Sequence, residues 1–221
     1  MRAVVVIPTL DEAENIGEIV GQVLGTLPGV VVVVVDDCSA DGTAEIARGA
    51  GARVIERRGP RGLGHAYREG FAQVLREPFD VVFQMDADGS HAPAALPTLV
   101  GGDLVLGSRW VPGGGTAGWS RSRQLLSRLG SVYARGWLGL PFRDLTGGFK
   151  RWDAGLLRNI LGSCGESGGY SFQVETTLRA QRAGAKIVEV PITFVERARG
   201  VSKLNLGIAL EAVRVVPGLR R

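Results

Sequence analysis

Asp86 and Asp88 carry the clearest chemistry in the chain. They are two carboxylates one residue apart, preceded by Val81-Val82-Phe83-Gln84-Met85 and followed by Gly89. A short run of mostly apolar residues reads as a buried strand. Alternate residues leaving a strand point to the same side, so the two carboxylates can converge on one hard cation. Paired carboxylates suit Mg2+ or Mn2+, and either ion suits a diphosphate. The plainer reading is an Asp-rich turn capping a helix that begins at Pro93. Ligands bind at the carboxyl ends of strands in open α/β sheets, so the surrounding elements decide between the two.

Those elements alternate. Ala3–Ile7 is a buried-type strand stopped by Pro8, and Ile16, Ile19, Val20, Val23, Leu24 and Leu27 then recur at helical spacing. A strand over Val30–Val35, a helix near 43–50, a strand near 52–56 and a helix near 64–76 lead to the run before Asp86. Alternating β and α with apolar strands predicts an α/β fold, a mainly parallel sheet with helices on both faces. A dinucleotide-binding fold would place Gly-x-Gly-x-x-Gly in the first βα turn. Here that turn is Pro8-Thr9-Leu10-Asp11-Glu12, which argues against a dehydrogenase.

Several further residues sit where ligands bind. Asp36 and Asp37 close the second strand, and a carboxylate there can accept the ring N–H of uracil or guanine. Asp41-Gly42-Thr43 reads more simply as a helix cap. Arg61-Gly62-Leu63-Gly64 reads as backbone amides and Arg61 facing an anion at a helix N-terminus, with an ordinary loop as the alternative. Arg109 leaves a strand over Asp103–Leu106 and is placed to grip phosphate bidentately. Gly113-Gly114-Gly115 cannot pack a core and reads as a mobile loop over the site. A helix over 119–138 carries Arg121, Arg123, Arg128 and Arg135 beside Leu125, Leu126, Leu129, Val132, Tyr133 and Trp137. It suits a membrane surface, or an ordinary helix with one solvated face. Asp144–Lys150 reads as a tight polar segment before a helix at 153–161. Glu175 is expected to face inward on the next helix, and a strand follows near 186–195. Residues 205–216 are apolar at helical spacing, fit to dock on the core or lie at an interface.

Composition sets the outer limits. The chain has 221 residues, 45% of them apolar, enough for one substantial domain with a core. A formal charge of +4 favours anionic partners: phosphates or an acidic membrane surface. No nucleic-acid recognition motif accompanies it, and the basic residues lie beside an acidic pair. Cys38 and Cys164 form neither a metal pattern nor a disulfide framework, which points to a reducing, cytoplasmic compartment. No run of about 20 apolar residues is present, so the expectation is a soluble or peripheral protein.

Taken together, the segments resemble the inverting glycosyltransferases of family 2, which have the GT-A fold, and among them the polyprenol phosphate mannose synthases. The resemblance rests on Ile7–Ile16, Val35–Thr43, Met85-Asp86-Ala87-Asp88, Gly107-Ser108-Arg109-Trp110, Asp144–Phe149, Gly169–Glu175 and Val201–Leu204. These motifs stand in family order across nearly the whole chain. The resemblance implies one catalytic domain over 1–221, with 205–221 as a membrane-surface helix. It implies a nucleotide sugar donor, GDP-mannose first, a polyprenyl phosphate acceptor, and Mg2+ or Mn2+. Pro8, Leu10, Glu12 and Asp37 would border the nucleoside together with Arg61, while Asp86 and Asp88 would hold the metal. Arg109, Arg123, Arg197 and Lys203 would bind donor or acceptor phosphates, with Asp88, Arg109 and Arg123 closest to the chemistry. Three features depart from the family pattern: Ser90 replaces the usual glutamine as a weaker metal ligand, Leu10 replaces a frequent tyrosine, and the segment from His91 to Asp103 is short.

The implied reaction fits the residues. A phosphate monoester has a second pKa near about 6 and is largely ionised at neutral pH, so it needs no strong base. UDP-glucose as donor is the nearest alternative. A hydroxyl acceptor would require a base, with Asp144 or Glu175 as candidates, and a non-catalytic nucleotide-sugar sensor is the alternative from another class.

Overall fold

The computed structural model describes residues 1–165, 171–196 and 215–220. Seven strands form one sheet in the order β3-β2-β1-β4-β7-β5-β8. They are β1 (Ala3–Thr9), β2 (Val31–Asp36), β3 (Arg53–Glu56), β4 (Val81–Gln84), β5 (Leu104–Ser108), β7 (Lys150–Asp153) and β8 (Ile187–Pro191). All pair in parallel except β7, which runs antiparallel between β4 and β5. Strand order reverses beside β1: β2 and β3 lie to one side and β4 to the other. The carboxyl ends of β1 and β4 therefore flank a topological switch point, where a crevice opens in α/β sheets.

Period-two alternation sorts the valines onto two faces. Val4, Val6, Val33 and Val35 pack with Tyr67, Phe71, Trp152 and Phe172 under α3 (Leu63–Val74), α5 (Ala154–Leu161) and α6 (Ser171–Arg182). Val5, Ile7, Val32 and Val34 pack with Ile16, Val20 and Val23 under α1 (Ala13–Thr26) and α2 (Thr43–Gly49). Gly70 lets α3 lie close on the sheet, since a Cβ there would sit 2.7 Å from Val35 Cγ2 and 2.9 Å from Val6 Cγ1. The long helix α4 (Arg121–Leu138) starts at an N-cap where Ser120 Oγ accepts from the Arg123 N–H, and stops at Gly139, φ +68°.

Five local expectations need correction. Strand β1 continues through Pro8 to Thr9. Parallel-strand residues alternate in the neighbour they face, and the Val6 carbonyl accepts from Met85 N–H at 3.3 Å. Pro8 thus lacks its N–H on the β4 side, beyond the end of β4 at Gln84, so the ladder loses nothing. Lys150–Asp153, read as part of a tight segment running into a helix, is a strand. Its side chains alternate between buried and half-buried, and Asp153 Oδ1 caps α5 through the Leu156 N–H at 2.9 Å. The glycine tract is not simply a loop: Gly115–Ala117 forms β6 and pairs in parallel with β9 (Thr193–Val195). The strand expected over 186–195 accordingly splits at Ile192 between two sheets. The segment at Pro93 is a 3-10 helix, Pro93–Thr98, with Pro97 inside it.

Of the C-terminal stretch, residues 215–220 are described, and Val216 is buried in the core beneath α6. Arg182 Nη2 donates to the carbonyls of Leu219 and Arg220 at 3.0 and 3.1 Å. These residues dock on the domain. Among the described residues, no helix is long and apolar enough to cross a membrane.

Candidate active site

The carboxyl ends of β1, β2, β4 and β5 gather most of the residues singled out by type and spacing. Asp86 and Asp88 follow β4 directly, and Gly89, φ +73°, turns the chain so that Ser90 N–H donates to Asp88 Oδ1 at 3.0 Å. Asp86 is the more accessible of the pair, its side chain about 25% exposed. Tyr67 Oη donates to Asp86 Oδ1 at 3.2 Å, and Asp86 N–H donates to His91 Nδ1 at 3.2 Å. Gly148 brings bare backbone against this carboxylate: a Cβ there would lie 2.9 Å from Asp86 Oδ1. The pair is thus a held arrangement, not a simple helix cap.

The donor set fits Mg2+ or Mn2+. Both side chains offer hard carboxylate oxygens. Among the described residues, no cluster of three His, Cys, Asp or Glu could hold a metal. An octahedral ion bound by one or two carboxylates takes its remaining ligands from water and substrate phosphates. Ser90 is buried, and its carbonyl accepts from Val195 N–H at 3.0 Å, which ties the turn to β9. His91 is fully buried, stacked on Phe149 with centroids 4.9 Å apart and edge-on to Phe194 at 5.0 Å. Burial, with the Arg109 charge adding to it, lowers its pKa to about 4, so the imidazole is neutral at pH 7.

The first two βα turns are laced together. Thr9 Oγ1 and Ser39 Oγ donate to Asp36 Oδ1 at 2.8 and 2.6 Å. Asp11 N–H donates to Ser39 Oγ at 2.8 Å, and Glu12 N–H to Thr43 Oγ1 at 2.9 Å. Asp11 and Cys38 both take positive φ, at 51° and 58°. Such strain clusters where backbone shapes a binding surface. Pro8, Leu10 and Glu12 line this edge, with Glu12 Oε2 accepting from Asn15 Nδ2 at 2.8 Å. Asp41 caps: its carboxylate accepts from Ala13 N–H at 3.0 Å and Thr43 Oγ1 at 2.6 Å. Burial opposes its ionisation, but these hydrogen bonds, Thr43 foremost, hold it below the usual carboxylate range.

Three basic candidates are already engaged by the protein itself. Asp37 accepts from Arg57 Nη1 and from Gly62 N–H, the latter at 2.7 Å. The anion at the amino end of α3 is therefore the chain's own Asp37 carboxylate, and Arg61 bends back to donate to the Cys38 carbonyl at 2.9 Å. Arg109 does not reach out from its strand. It is buried, and its Nε and Nη2 grip Asp144 Oδ2 and Oδ1, each at 2.7 Å. The same Nη2 also donates to Thr146 Oγ1 at 2.9 Å. A guanidinium matches a carboxylate as well as a phosphate, so a strand-exit arginine can be claimed by either. Arg123 lies 4.1 Å over the Trp119 ring and pairs with Glu196 at 2.9 Å. Arg197 and Lys203 lie outside the described residues.

The candidate bases fare no better. Burial alone would raise the Asp144 pKa, yet Arg109 holds it below the ordinary range, leaving a very weak base. Glu175 faces inward as expected and accepts from Gly165 N–H at 2.5 Å, with Arg179 at 3.6 Å. The sequence reading missed Tyr67, Arg57 and Gly148. The consecutive glycines at 147 and 148 were the one available signal, marking a close backbone approach.

Comparison with known proteins agrees with this geometry. Residues 4–161 match the profile of glycosyl transferase family 2. An undecaprenyl-phosphate mannosyltransferase of Micrococcus luteus is 45% identical over 222 residues, covering 96% of this chain and 91% of its own. A polyprenol monophosphomannose synthase of Mycolicibacterium smegmatis is 43% identical over 215 residues, covering 92% of this chain and 81% of its own. In fold the chain resembles glucosyl-3-phosphoglycerate synthase from Mycobacterium tuberculosis, solved with Mn2+, uridine diphosphate and glucosyl-3-phosphoglycerate. That likeness has a TM-score of 0.74 at 23% identity, over 99% of this chain and 79% of that one. The same enzyme has also been solved with Mg2+ and uridine diphosphate. With family motif, sequence likeness and sheet in agreement, this chain is a glycosyltransferase and belongs to glycosyl transferase family 2, with the GT-A fold.

Proposed function

We propose that the chain transfers mannose from GDP-mannose to a polyprenyl phosphate, with inversion at the anomeric carbon. The observation that carries this reading is the Asp86–Asp88 pair at the switch point, with the base candidate Asp144 tied up by Arg109. Asp144 is neutralised by Arg109 and weakened as a base, which disfavours a hydroxyl acceptor. An ionised phosphate acceptor requires none. One relative described above is by name an undecaprenyl-phosphate mannosyltransferase and the other a polyprenol monophosphomannose synthase.

In this reading Asp86 and Asp88 hold Mg2+ or Mn2+, which offsets charge developing on the diphosphate leaving group. Pro8, Leu10, Glu12 and Asp37 border the nucleoside, and the laced turns fix the edge that receives it. Asp37 keeps its own cation and still has acceptor capacity for a base N–H, since an ionised carboxylate offers about four lone-pair sites. Arg123, Arg197 and Lys203 serve phosphate. Arg109 acts indirectly, by anchoring the 144–148 segment that presents Gly148 to Asp86.

The acceptor is a lipid, and α4 supplies a surface for its membrane. Leu125, Leu126, Leu129, Val132 and Trp137 are all exposed on it, and its 121–138 sequence holds four arginines and no acidic residue. An apolar stripe flanked by arginines suits an anionic bilayer surface.

Thermal stabilisation by GDP, UDP, GDP-mannose and UDP-glucose, each with and without Mn2+, tests the donor. Saturation a hundredfold above Kd adds about 2.7 kcal/mol, a readily visible shift. A Mn2+-dependent shift with GDP and not UDP is expected. A shift with UDP alone would transfer the reading to a uridine donor, and none with any nucleotide would overturn it.

A further inference from the structure

Beneath the carboxylate pair, four elements bring polar side chains together inside an otherwise apolar layer. Gln84 on β4, Tyr67 on α3, Trp152 on β7 and Gln173 on α6 are all fully buried. Trp152 Nε1 donates to Gln84 Oε1 at 3.2 Å, and Gln84 Nε2 donates to Gln173 Oε1 at 2.7 Å. The Gln84 amide also bonds the Tyr67 hydroxyl, which donates onward to Asp86 Oδ1 at 3.2 Å. Lys150 Nζ secures the far end through the Gln173 carbonyl at 2.8 Å. The donors run in one sense: Trp152 to Gln84, Gln84 to Tyr67, Tyr67 to the carboxylate.

Such a chain is costly to bury and repays that cost only when its members are matched. Packing alone would be served by phenylalanine at position 67. The Tyr67 ring already stacks on Phe71 and Phe172, with centroids 5.5 and 6.0 Å away. The hydroxyl adds an acceptor for the Gln84 amide and a donor held on Asp86. Gly148 puts bare backbone against that carboxylate, and Tyr67 holds it from within.

We infer that Tyr67 is a positioning residue for the metal carboxylate. Backed by Gln84 and Trp152, it locks Asp86 in the rotamer that presents an oxygen to the cation. This rests on the reading of Asp86 as a metal ligand. A partner that orients a liganding carboxylate is worth about tenfold to a hundredfold in metal affinity or activity.

The test compares wild type, Tyr67→Phe and Phe71→Leu by Mn2+ titration followed by electron paramagnetic resonance, with thermal unfolding alongside. Phe71→Leu disturbs the same aromatic cluster without touching a polar atom. Tyr67→Phe is expected to weaken Mn2+ binding about tenfold or more. Phe71→Leu is expected to lower the unfolding temperature and leave Mn2+ affinity unchanged. In transfer assays Tyr67→Phe should raise the Mn2+ concentration needed for half-maximal rate while saturating Mn2+ restores the maximal rate. Equal Mn2+ affinity in wild type and Tyr67→Phe would overturn the positioning role alone. Equal weakening in both variants would reduce it to packing. No Mn2+ binding by wild type would overturn the metal reading of Asp86 and this inference with it.

Discussion

Arg109 and Asp144 form a two-point fork in the protein interior, with Nε–Oδ2 and Nη2–Oδ1 both at 2.7 Å. The Arg109 N–H adds a third bond to Asp144 Oδ2 at 3.0 Å, so side chain and backbone converge on one carboxylate. This pair joins the exit of β5 to the segment that precedes β7, the strand beside β4. It also engages with each other a residue offered to phosphate and one offered as a base.

Breaking that fork is expected to be a stability lesion. Asp144→Asn leaves Arg109 buried and uncompensated, a loss of about 3–5 kcal/mol in urea unfolding. The pH dependence has a definite sign. Arg109 holds the Asp144 pKa below its unfolded value. The stabilisation is therefore complete above the ordinary carboxylate pKa near about 4 and is lost as pH falls through the lower folded value. The variant should lack this acid limb. Wild-type stability in Asp144→Asn with only transfer lost would show the pair to be catalytic instead.

Lys150 predicts the opposite limb. Burial lowers its pKa from 10.5 to about 7. Between those values the unfolded chain holds a proton that the folded chain has released, so stability should rise with pH from about 7 towards 10.5. Lys150→Met should flatten this rise when unfolding midpoints are compared across that range. An unchanged slope would mean that the amine stays charged in place.

Gly148→Ala separates site from fold. The added Cβ meets Asp86 oxygens at 2.9 and 3.0 Å, and a carboxylate can swing aside where backbone could not. The unfolding temperature should move little, while transfer falls on the order of a hundredfold, as displacements of about 1 Å at reacting groups do. Full activity in this variant would show that Asp86 tolerates displacement.

On α4, Leu129→Glu with Val132→Glu places charge on the exposed stripe. Both positions are more than half exposed, so stability should stay within about 0.5 kcal/mol per site. Co-sedimentation with anionic vesicles should fall steeply, with Mn2+ and nucleotide binding intact. Undiminished vesicle binding would remove α4 as the membrane surface.

Much of this architecture is legible from residue order. Valine runs and helical spacing mark β1 to α3 because local pattern and final environment agree there. Asp86 and Asp88 are legible because two carboxylates one residue apart directly follow a short apolar strand. Partner choice is not. Arg109 looked outward by position, but its partner Asp144 lies 35 residues on, and only the fold reveals it. Tyr67 reads as one more core aromatic, since its hydroxyl matters only once α3 packs on the sheet and brings it to Asp86. Strand β7 was hidden for a related reason. Its four residues pair antiparallel within a parallel sheet and include the fully buried Lys150, so neither hydropathy nor alternation of layers announces it.

The most direct measurement is transfer itself. Purified chain, GDP-mannose carrying labelled mannose, Mn2+ and a short polyprenyl phosphate are incubated and the lipid phase is counted. The account predicts labelled mannosyl lipid from wild type, none without divalent cation, and none from Asp88→Ala with its fold retained. Lipid-linked mannose from Asp88→Ala, or transfer from wild type that is indifferent to metal removal, would contradict it.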